Sequence, residues 1–116
     1  MSSMLGRVAL PGRAVYAATK HALEGLTKAM ALDLAADGIR VNSICPTYIE
    51  TPMTRPLMEN QAFKAFVAQR MPLSTDAQPI GKVGDLDGAL LYLSDSSLSA
   101  FVTGSNIVVD GGWSAQ

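Results

Sequence analysis

The feature that most restricts the fold is a long amphipathic segment, cut off at Asp37-Gly38 and followed at once by a short apolar run. From about Val15 to Ala36, Leu23, Leu26, Met30 and Leu34 recur at helical spacing as one large apolar stripe. Ala18, Ala22, Gly25 and Ala29 form a second stripe of small side chains that lets another backbone come close. The spacing predicts a helix, and Gly38 can take the left-handed conformation just past its end. Ile39 to Cys45 then reads as a buried strand, which Pro46 ends. A helix giving way to a strand within three residues points to an α/β unit.

The rest of the chain extends this pattern. Thr47 to Pro56 is a loop with two prolines, and Glu59 to Met71 a second helix with Phe63, Phe66, Val67 and Arg70 on one side. Pro72 to Gly84 is a long loop. Asp85 is placed to cap a short helix whose Leu86, Ala89, Leu90 and Leu93 make an apolar face. Asn106 to Val109 is a last strand, closed by Asp110-Gly111-Gly112. Two strands make a thin sheet for so much helix.

Composition narrows the class. The 116 residues suit one domain at most, and at 48% hydrophobic they can bury a real core. A formal charge of -1 gives no electrostatic case for nucleic acid or an anionic membrane. No run approaches the roughly 18 apolar residues of a spanning helix. The start, Met1 to Arg7, lacks the basic and apolar regions of a signal peptide. Cys45 alone cannot form an internal disulfide, so a reducing, cytoplasmic compartment is expected. One His and one Cys, with no carboxylates at useful spacing, make no metal site. His21 reads as a helix-surface residue, Cys45 as a buried strand-end residue, and Trp113 as a packing or subunit-contact residue.

Three segments could carry chemistry. Tyr16 and Lys20 stand at i and i+4 and share a helix face. An ammonium beside a phenol favours the phenolate, which suits a tyrosine to proton transfer near neutral pH; the bland alternative is a chance pair on a solvated face. Ser3 lies 13 residues earlier, with Gly6, Pro11 and Gly12 between, so the chain can fold back and bring its hydroxyl beside the phenol; otherwise it is a serine in a flexible end. Pro46 to Thr51 places a loop at the carboxyl end of a strand, where open α/β sheets bind ligands. There Thr51 and the backbone around Ile49 could hydrogen-bond a carboxamide or phosphate, or form an ordinary turn.

Tyr16-Ala17-Ala18-Thr19-Lys20 resembles the Tyr-x-x-x-Lys segment of the short-chain dehydrogenase/reductase family. Gly38-Ile39-Arg40-Val41-Asn42 with Cys45-Pro46 resembles the family's sixth strand, and Ile49 with Thr51 its nicotinamide-contacting loop. Val102-Thr103-Gly104 with Val109-Asp110-Gly111-Gly112 resembles its last strand and closing signature. The resemblance implies the C-terminal part of a Rossmann-type doubly wound parallel sheet with flanking helices. It implies an NAD(P)-dependent oxidoreductase that reduces carbonyls or oxidises alcohols of small molecules. In these terms Tyr16 exchanges the proton, Lys20 tunes it and holds the nicotinamide ribose, and Ser3 steadies the substrate oxygen. Pro46, Ile49 and Thr51 join Tyr16 and Lys20 in binding NAD or NADP. Met53 to Met71 becomes a mobile lid in which Phe63 and Phe66 shape substrate choice, and the full-length form is expected to be a homo-oligomer.

Two departures stand out. Thr47 occupies a position where the family has Gly after Pro, which bears on the turn and its cofactor contact. No Gly-rich turn follows a strand to cradle a pyrophosphate; Gly81-Lys82-Val83-Gly84 has the wrong spacing. Residues 1–116 are therefore expected to be the catalytic C-terminal half of one domain, starting inside the fifth of seven strands. Alone, the chain would have an open sheet edge, be poorly stable, bind NAD(P) weakly or not at all and lack activity. The alternatives are a non-catalytic remnant acting at most as an oligomerisation module, and the product of a mis-started gene. The lid mixes apolar anchors with Arg55, Glu59, Asn60 and Lys64, so sugars, acyl thioesters and steroids all stay open as substrates.

Overall fold

The computed structural model describes residues 1–115. A 3-10 turn over Met4–Gly6 leads into α1, Ala14–Asp33, which ends through a 3-10 turn at Gly38 with φ of 71°. β1, Ser43–Pro46, follows; α2 is Gln61–Arg70, α3 Asp87–Ser94, α4 the single turn Ser96–Ser99, and β2 Asn106–Val109. β1 and β2 pair in parallel, Ser43 opposite Asn106 and Pro46 opposite Val109. The α/β architecture expected from the sequence is present, with a sheet of two strands.

β1 is shorter than the predicted strand from Ile39. The chain opposite residues 39–42 turns at Gly104, φ 66°, which opens a gap in the ladder although Gly104 N still donates to the Val41 carbonyl at 2.8 Å. Side chains close that gap: Asn42 Nδ2 donates to the Val102 carbonyl at 2.9 Å, and its Oδ1 accepts from Ser105 N at 3.0 Å. Arg40 reaches across to the Leu93 carbonyl at 2.9 Å. On the edge of β1 facing away from β2, the Ile44 carbonyl accepts the Ser2 N–H at 2.8 Å. Residue 2 thus lies beside β1 without forming a strand.

Alternation along β1 sends Ser43 and Cys45 toward α1 and Ile44 to the other face, where it lines a hollow with Leu90 and Leu93. α1 does not turn its large apolar stripe to the core. Leu26 and Met30 are exposed, Leu23 and Leu34 half-buried, and the stripe of small residues lies in the open. The buried face is instead Ala17, Glu24, Thr27 and Ala31. Small side chains let the helix lie close to the sheet: a Cβ at Gly104 would sit 3.4 Å from that of Ala31. Thr27 satisfies its hydroxyl on the Leu23 carbonyl at 2.9 Å, so it costs little to bury.

The predicted second helix starts two residues late, because Asn60 caps α2 by accepting the Phe63 N–H at 3.1 Å, and a 3-10 turn, Arg55–Glu59, precedes it. Its apolar side is as read: Val67 is fully buried, and Phe63 and Phe66 pack on the core. Asp85 does not cap α3. It lies inside the 3-10 turn Val83–Leu86, where its carboxylate accepts from Lys82 N at 2.7 Å and Gln78 Nε2 at 2.9 Å. The main core gathers Met4, Leu5, Ala17, Val67, Met71, Ile80 and Trp113 under the start of α1 and α2. Among the described residues no helix is long and apolar enough to cross a membrane, and no group of His, Cys, Asp or Glu could hold a metal ion.

Candidate active site

Tyr16 and Lys20 lie in the first two turns of α1, and the Lys20 Nζ stands 5.5 Å from the centre of the Tyr16 ring. The ring is about half exposed. Lys20 Nζ also donates to the Met1 carbonyl at 3.4 Å, a long bond that leaves most of its donor capacity uncommitted. Ser3 is buried at the head of the 3-10 turn Met4–Gly6, where its Oγ accepts the Leu5 N–H at 3.2 Å. That bond uses a lone pair, not the hydroxyl proton. Among the described residues no hydrogen bond joins Ser3 Oγ to the Tyr16 phenol.

The Ser3 turn is nonetheless pressed onto the Tyr16 helix, and Gly6 is the reason. A Cβ there would lie 2.9 Å from the Lys20 carbonyl oxygen and 3.0 Å from both Glu24 Cγ and Ser2 Oγ. Only a glycine lets the turn approach the helix backbone this closely.

Glu24, one turn beyond Lys20, fastens the helix to the sheet. Ser43 Oγ lies 2.8 and 3.0 Å from its two carboxylate oxygens, Asn106 Nδ2 donates at 2.8 Å and Cys45 Sγ at 3.4 Å. One buried carboxylate thus ties α1 to β1 and β2 together. Burial alone would raise its pKa; hydroxyls of Ser2 and Ser43, with Asn106 and Cys45, outweigh burial and hold it below the ordinary value. Ser2 Oγ helps by proximity, since it has no partner at hydrogen-bond distance. Arg7 bonds the same Asn106 through its Oδ1. Burial pushes the Cys45 thiol up, and the Glu24 charge adds to that. Glu24 lies at i+8 from Tyr16 and i+4 from Lys20, and that spacing is the signal in the sequence that sets it beside them.

The third segment follows β1. Pro46 is its last residue, buried and paired with Val109. Thr47 takes an ordinary backbone conformation, since every residue with positive φ is a glycine, so the departure from Gly costs this turn no strain. Its hydroxyl is buried without a partner. Ile49 forms a parallel bridge with Gly81, with Glu50 N donating to the Gly81 carbonyl at 2.7 Å and Gly81 N to the Tyr48 carbonyl at 3.0 Å. Thr51 does not present a free hydroxyl: Thr51 and Thr54 oxygens lie 3.1 Å apart, Thr51 N donates to Thr54 Oγ1 at 2.9 Å, and Thr54 Oγ1 donates to the Ile49 carbonyl at 2.5 Å. These bonds make the loop a rigid shelf.

Tyr48, in this loop, joins it to α1 and α2. Its ring meets Phe63 edge-on at 5.2 Å and Trp113 at 5.6 Å, and Trp113 meets Phe66 at 5.5 Å. Burial raises the Tyr48 phenol above its ordinary range, with Arg13 opposing and Tyr16 adding to the rise, so all three share one neighbourhood. Trp113 is therefore a packing residue, buried beneath this cluster. Asp110 holds it there by accepting from Gly112 N at 2.9 Å and Ser114 N at 2.8 Å. Beside Tyr48 opens a cleft of about 290 Å³ walled by Leu10, Pro11, Phe63 and Phe66, with Arg13 and Arg70 at its edge. His21 lies exposed on α1, its Nδ1 3.0 Å from the Ala17 carbonyl.

Residues 1–114 match a family model described as enoyl-(acyl carrier protein) reductase. The chain is 41% identical over 113 residues to short-chain dehydrogenase FogB of Aspergillus ruber, covering 97% of this chain and 40% of that protein. Among solved structures it resembles 4-hydroxyisoleucine dehydrogenase complexed with NADH, at TM-score 0.90 and 41% identity, covering 99% of this chain and 45% of that one. It also resembles a gluconate 5-dehydrogenase from Burkholderia cenocepacia in complex with NADP and tartrate, at TM-score 0.89 and 37% identity, over 99% and 43% of the two chains. The chain thus spans less than half the length of these relatives. With its parallel sheet, its flanking helices and a family match over residues 1–114, it belongs to the short-chain dehydrogenase/reductase family, as the C-terminal half of that domain.

Proposed function

We propose that this chain carries the reacting half of an NAD(P)-dependent oxidoreductase that interconverts alcohols and carbonyls, with Tyr16, Lys20 and Ser3 as its catalytic residues. The observation that carries the reading is the Lys20 ammonium beside the Tyr16 ring, on a helix against which Gly6 seats the Ser3 turn. The donor set suits a nicotinamide nucleoside. Lys20 has ammonium protons beyond its long bond to Met1, fit for the vicinal hydroxyls of a ribose. The braced loop from Pro46 to Thr51 offers an apolar side chain, Ile49, beside a fixed backbone. When bound, the nicotinamide supplies or accepts the hydride.

The chain's own residues perform the rest. The Tyr16 phenol gives its proton to the carbonyl oxygen on reduction and takes the hydroxyl proton on oxidation. Lys20 keeps its ammonium 5.5 Å from the centre of that ring and holds the nicotinamide ribose hydroxyls. Ser3 Oγ, held by the Leu5 N–H on a lone pair, keeps its proton to donate to the substrate oxygen as charge develops there. Pro46, Ile49 and Thr51 orient the nicotinamide by shape, since the Thr51 hydroxyl is committed to Thr54. Phe63 and Phe66 on α2 wall the cleft in which the substrate's carbon frame lies.

The test is Tyr16→Phe in the protein expressed from its natural gene. Tyr16 is half exposed, so the fold is expected to persist while kcat falls about a hundredfold or more. Retention of near-normal kcat by this variant refutes the assignment.

A further inference from the structure

The rotational setting of α1 is not the one its large apolar side chains favour. Leu26 and Met30 stand exposed, while the buried face holds Ala17, Glu24, Thr27 and Ala31. At 3.6 residues per turn, Tyr16, Lys20 and Glu24 fall within about 80° of one another, and the stripe of Leu23, Leu26, Met30 and Leu34 lies roughly a quarter turn away from the buried face. Apolar burial alone favours a helix turned by that angle, and such a turn would carry the Tyr16 ring and the Lys20 ammonium with it. What opposes it is the Glu24 carboxylate, which accepts from Ser43 Oγ at 2.8 Å, Asn106 Nδ2 at 2.8 Å and Cys45 Sγ at 3.4 Å. A turned helix would leave these donors without an acceptor beneath apolar side chains, a costly state for buried polar groups.

We infer that Glu24 is a positioning residue of the active site: its bonds to Ser43 and Asn106 fix the rotation of α1 against the sheet and so hold Tyr16 and Lys20 toward the Ser3 turn. Other bonds of the helix do not serve this purpose. The contact of Lys20 with the Tyr16 ring is internal to α1 and turns with it. Thr19, His21 and Thr27 likewise bond carbonyls of their own helix. The Lys20 bond to the Met1 carbonyl is long, at 3.4 Å, and exposed. Among the described residues, Glu24 is the one side chain of α1 hydrogen-bonded to the strands. It also meets the Ser3 turn directly, since a Cβ at Gly6 would lie 3.0 Å from its Cγ. The catalytic consequence rests on the oxidoreductase reading, which gives Tyr16, Lys20 and Ser3 their roles; the rotation itself does not.

The experiment reads rotation and turnover separately, in the protein expressed from its natural gene. Leu26→Cys places a thiol on the exposed stripe, and Cys45, fully buried, does not compete for a maleimide in the folded protein. Adding Glu24→Gln to Leu26→Cys is expected to slow labelling at least about fivefold, as the stripe turns inward. A role in stability alone has the opposite sign, because loosening the helix leaves an exposed thiol reacting at the same rate or faster. In the same protein without the added cysteine, Glu24→Gln should lower kcat about tenfold or more under conditions where it is folded. Ser43→Ala, which removes one donor and leaves Asn106 and Cys45 in place, should shift both readouts in the same direction by less, and it carries the test if Glu24→Gln does not fold. Unchanged or faster labelling in these variants overturns the inference, whatever the turnover. Slowed labelling with undiminished kcat, where Tyr16→Phe abolishes activity, overturns the positioning role. Slowed labelling in a protein whose kcat survives Tyr16→Phe upholds the part of Glu24 in setting the helix and defeats the oxidoreductase reading.

Discussion

Gly6→Ala is the smallest change that tests how the site is assembled. The added methyl would lie 2.9 Å from the Lys20 carbonyl oxygen, 3.0 Å from Glu24 Cγ and 3.0 Å from Ser2 Oγ. The Ser2 hydroxyl can rotate aside, but the other two contacts cannot relax so easily. The carbonyl belongs to the backbone of α1, and the Glu24 side chain is fixed by its bonds to Ser43 and Asn106. Relief therefore requires the turn and the helix to move apart by a few tenths of an ångström or more. Overpacking of this kind costs about 1–3 kcal/mol, and the rigid partners here put the expectation in the upper half of that range. The same displacement carries Ser3 away from Tyr16 and Lys20, and sub-ångström misplacement of reacting groups costs on the order of tenfold to a hundredfold in rate. Guanidinium unfolding gives the first quantity, and kcat under conditions where the variant is fully folded gives the second. A variant that loses stability while keeping its kcat would refute the claim that the contact of this turn with α1 sets the catalytic geometry. One that loses neither would refute the close approach itself.

Other perturbations separate the site's parts. Gly81→Ala places a methyl 2.7 Å from Ile49 Cδ1, the flexible end of a side chain, so stability should fall by less than about 1 kcal/mol while KM for the nicotinamide nucleotide rises severalfold; an unchanged cofactor KM would free Ile49 of its assigned role. Gly25→Ala meets no atom within 4 Å on an exposed face of α1, and should stabilise the protein by about 0.5–1 kcal/mol in a thermal melt with turnover unaltered. Glu24 is held below its ordinary value near 4.5, so its contribution is present at neutral pH and lost as pH falls through and below that ordinary value. Glu24→Gln should accordingly be the less stable protein at neutral pH and show a shallower acid dependence; parallel curves would place the titration elsewhere.

Much of the fold follows from signals that act over a few residues. The stop at Asp37-Gly38 is read from the left-handed conformation that glycine tolerates, and Gly38 adopts it. β2 runs over the four residues read as a strand, because an apolar run bounded by turn residues has few alternatives. The errors arise where a distant partner decides. Counting large apolar residues on α1 selects Leu23, Leu26, Met30 and Leu34, but the sheet takes the face with Glu24 and Ala31, because that face brings the helix close and satisfies a carboxylate. The start of β1 depends on a turn at Gly104, about sixty residues away in sequence, which no local pattern around Ile39 reports.

The site divides in the same way. Tyr16 and Lys20 could be paired from spacing alone, since a helix sets the distance between i and i+4. What gives that pair a fixed orientation lies at sequence separations of 19 residues, from Glu24 to Ser43, and 82, from Glu24 to Asn106. A charged residue on an otherwise apolar helix face is ordinarily read as solvated, and becomes a structural tie only when two strands supply its donors. The role of Thr51 changes for the same reason. A threonine after a strand suggests a hydroxyl offered to a ligand, yet Thr54 three residues on captures it and turns the loop into a shelf. Sequence identifies groups that can react; the contacts between distant elements decide which of them are left with a proton or a lone pair to use. Ser3 is in this respect better placed than Thr51 to donate to a substrate, because its hydroxyl oxygen accepts from Leu5 N while Thr51 spends its hydroxyl on a neighbour.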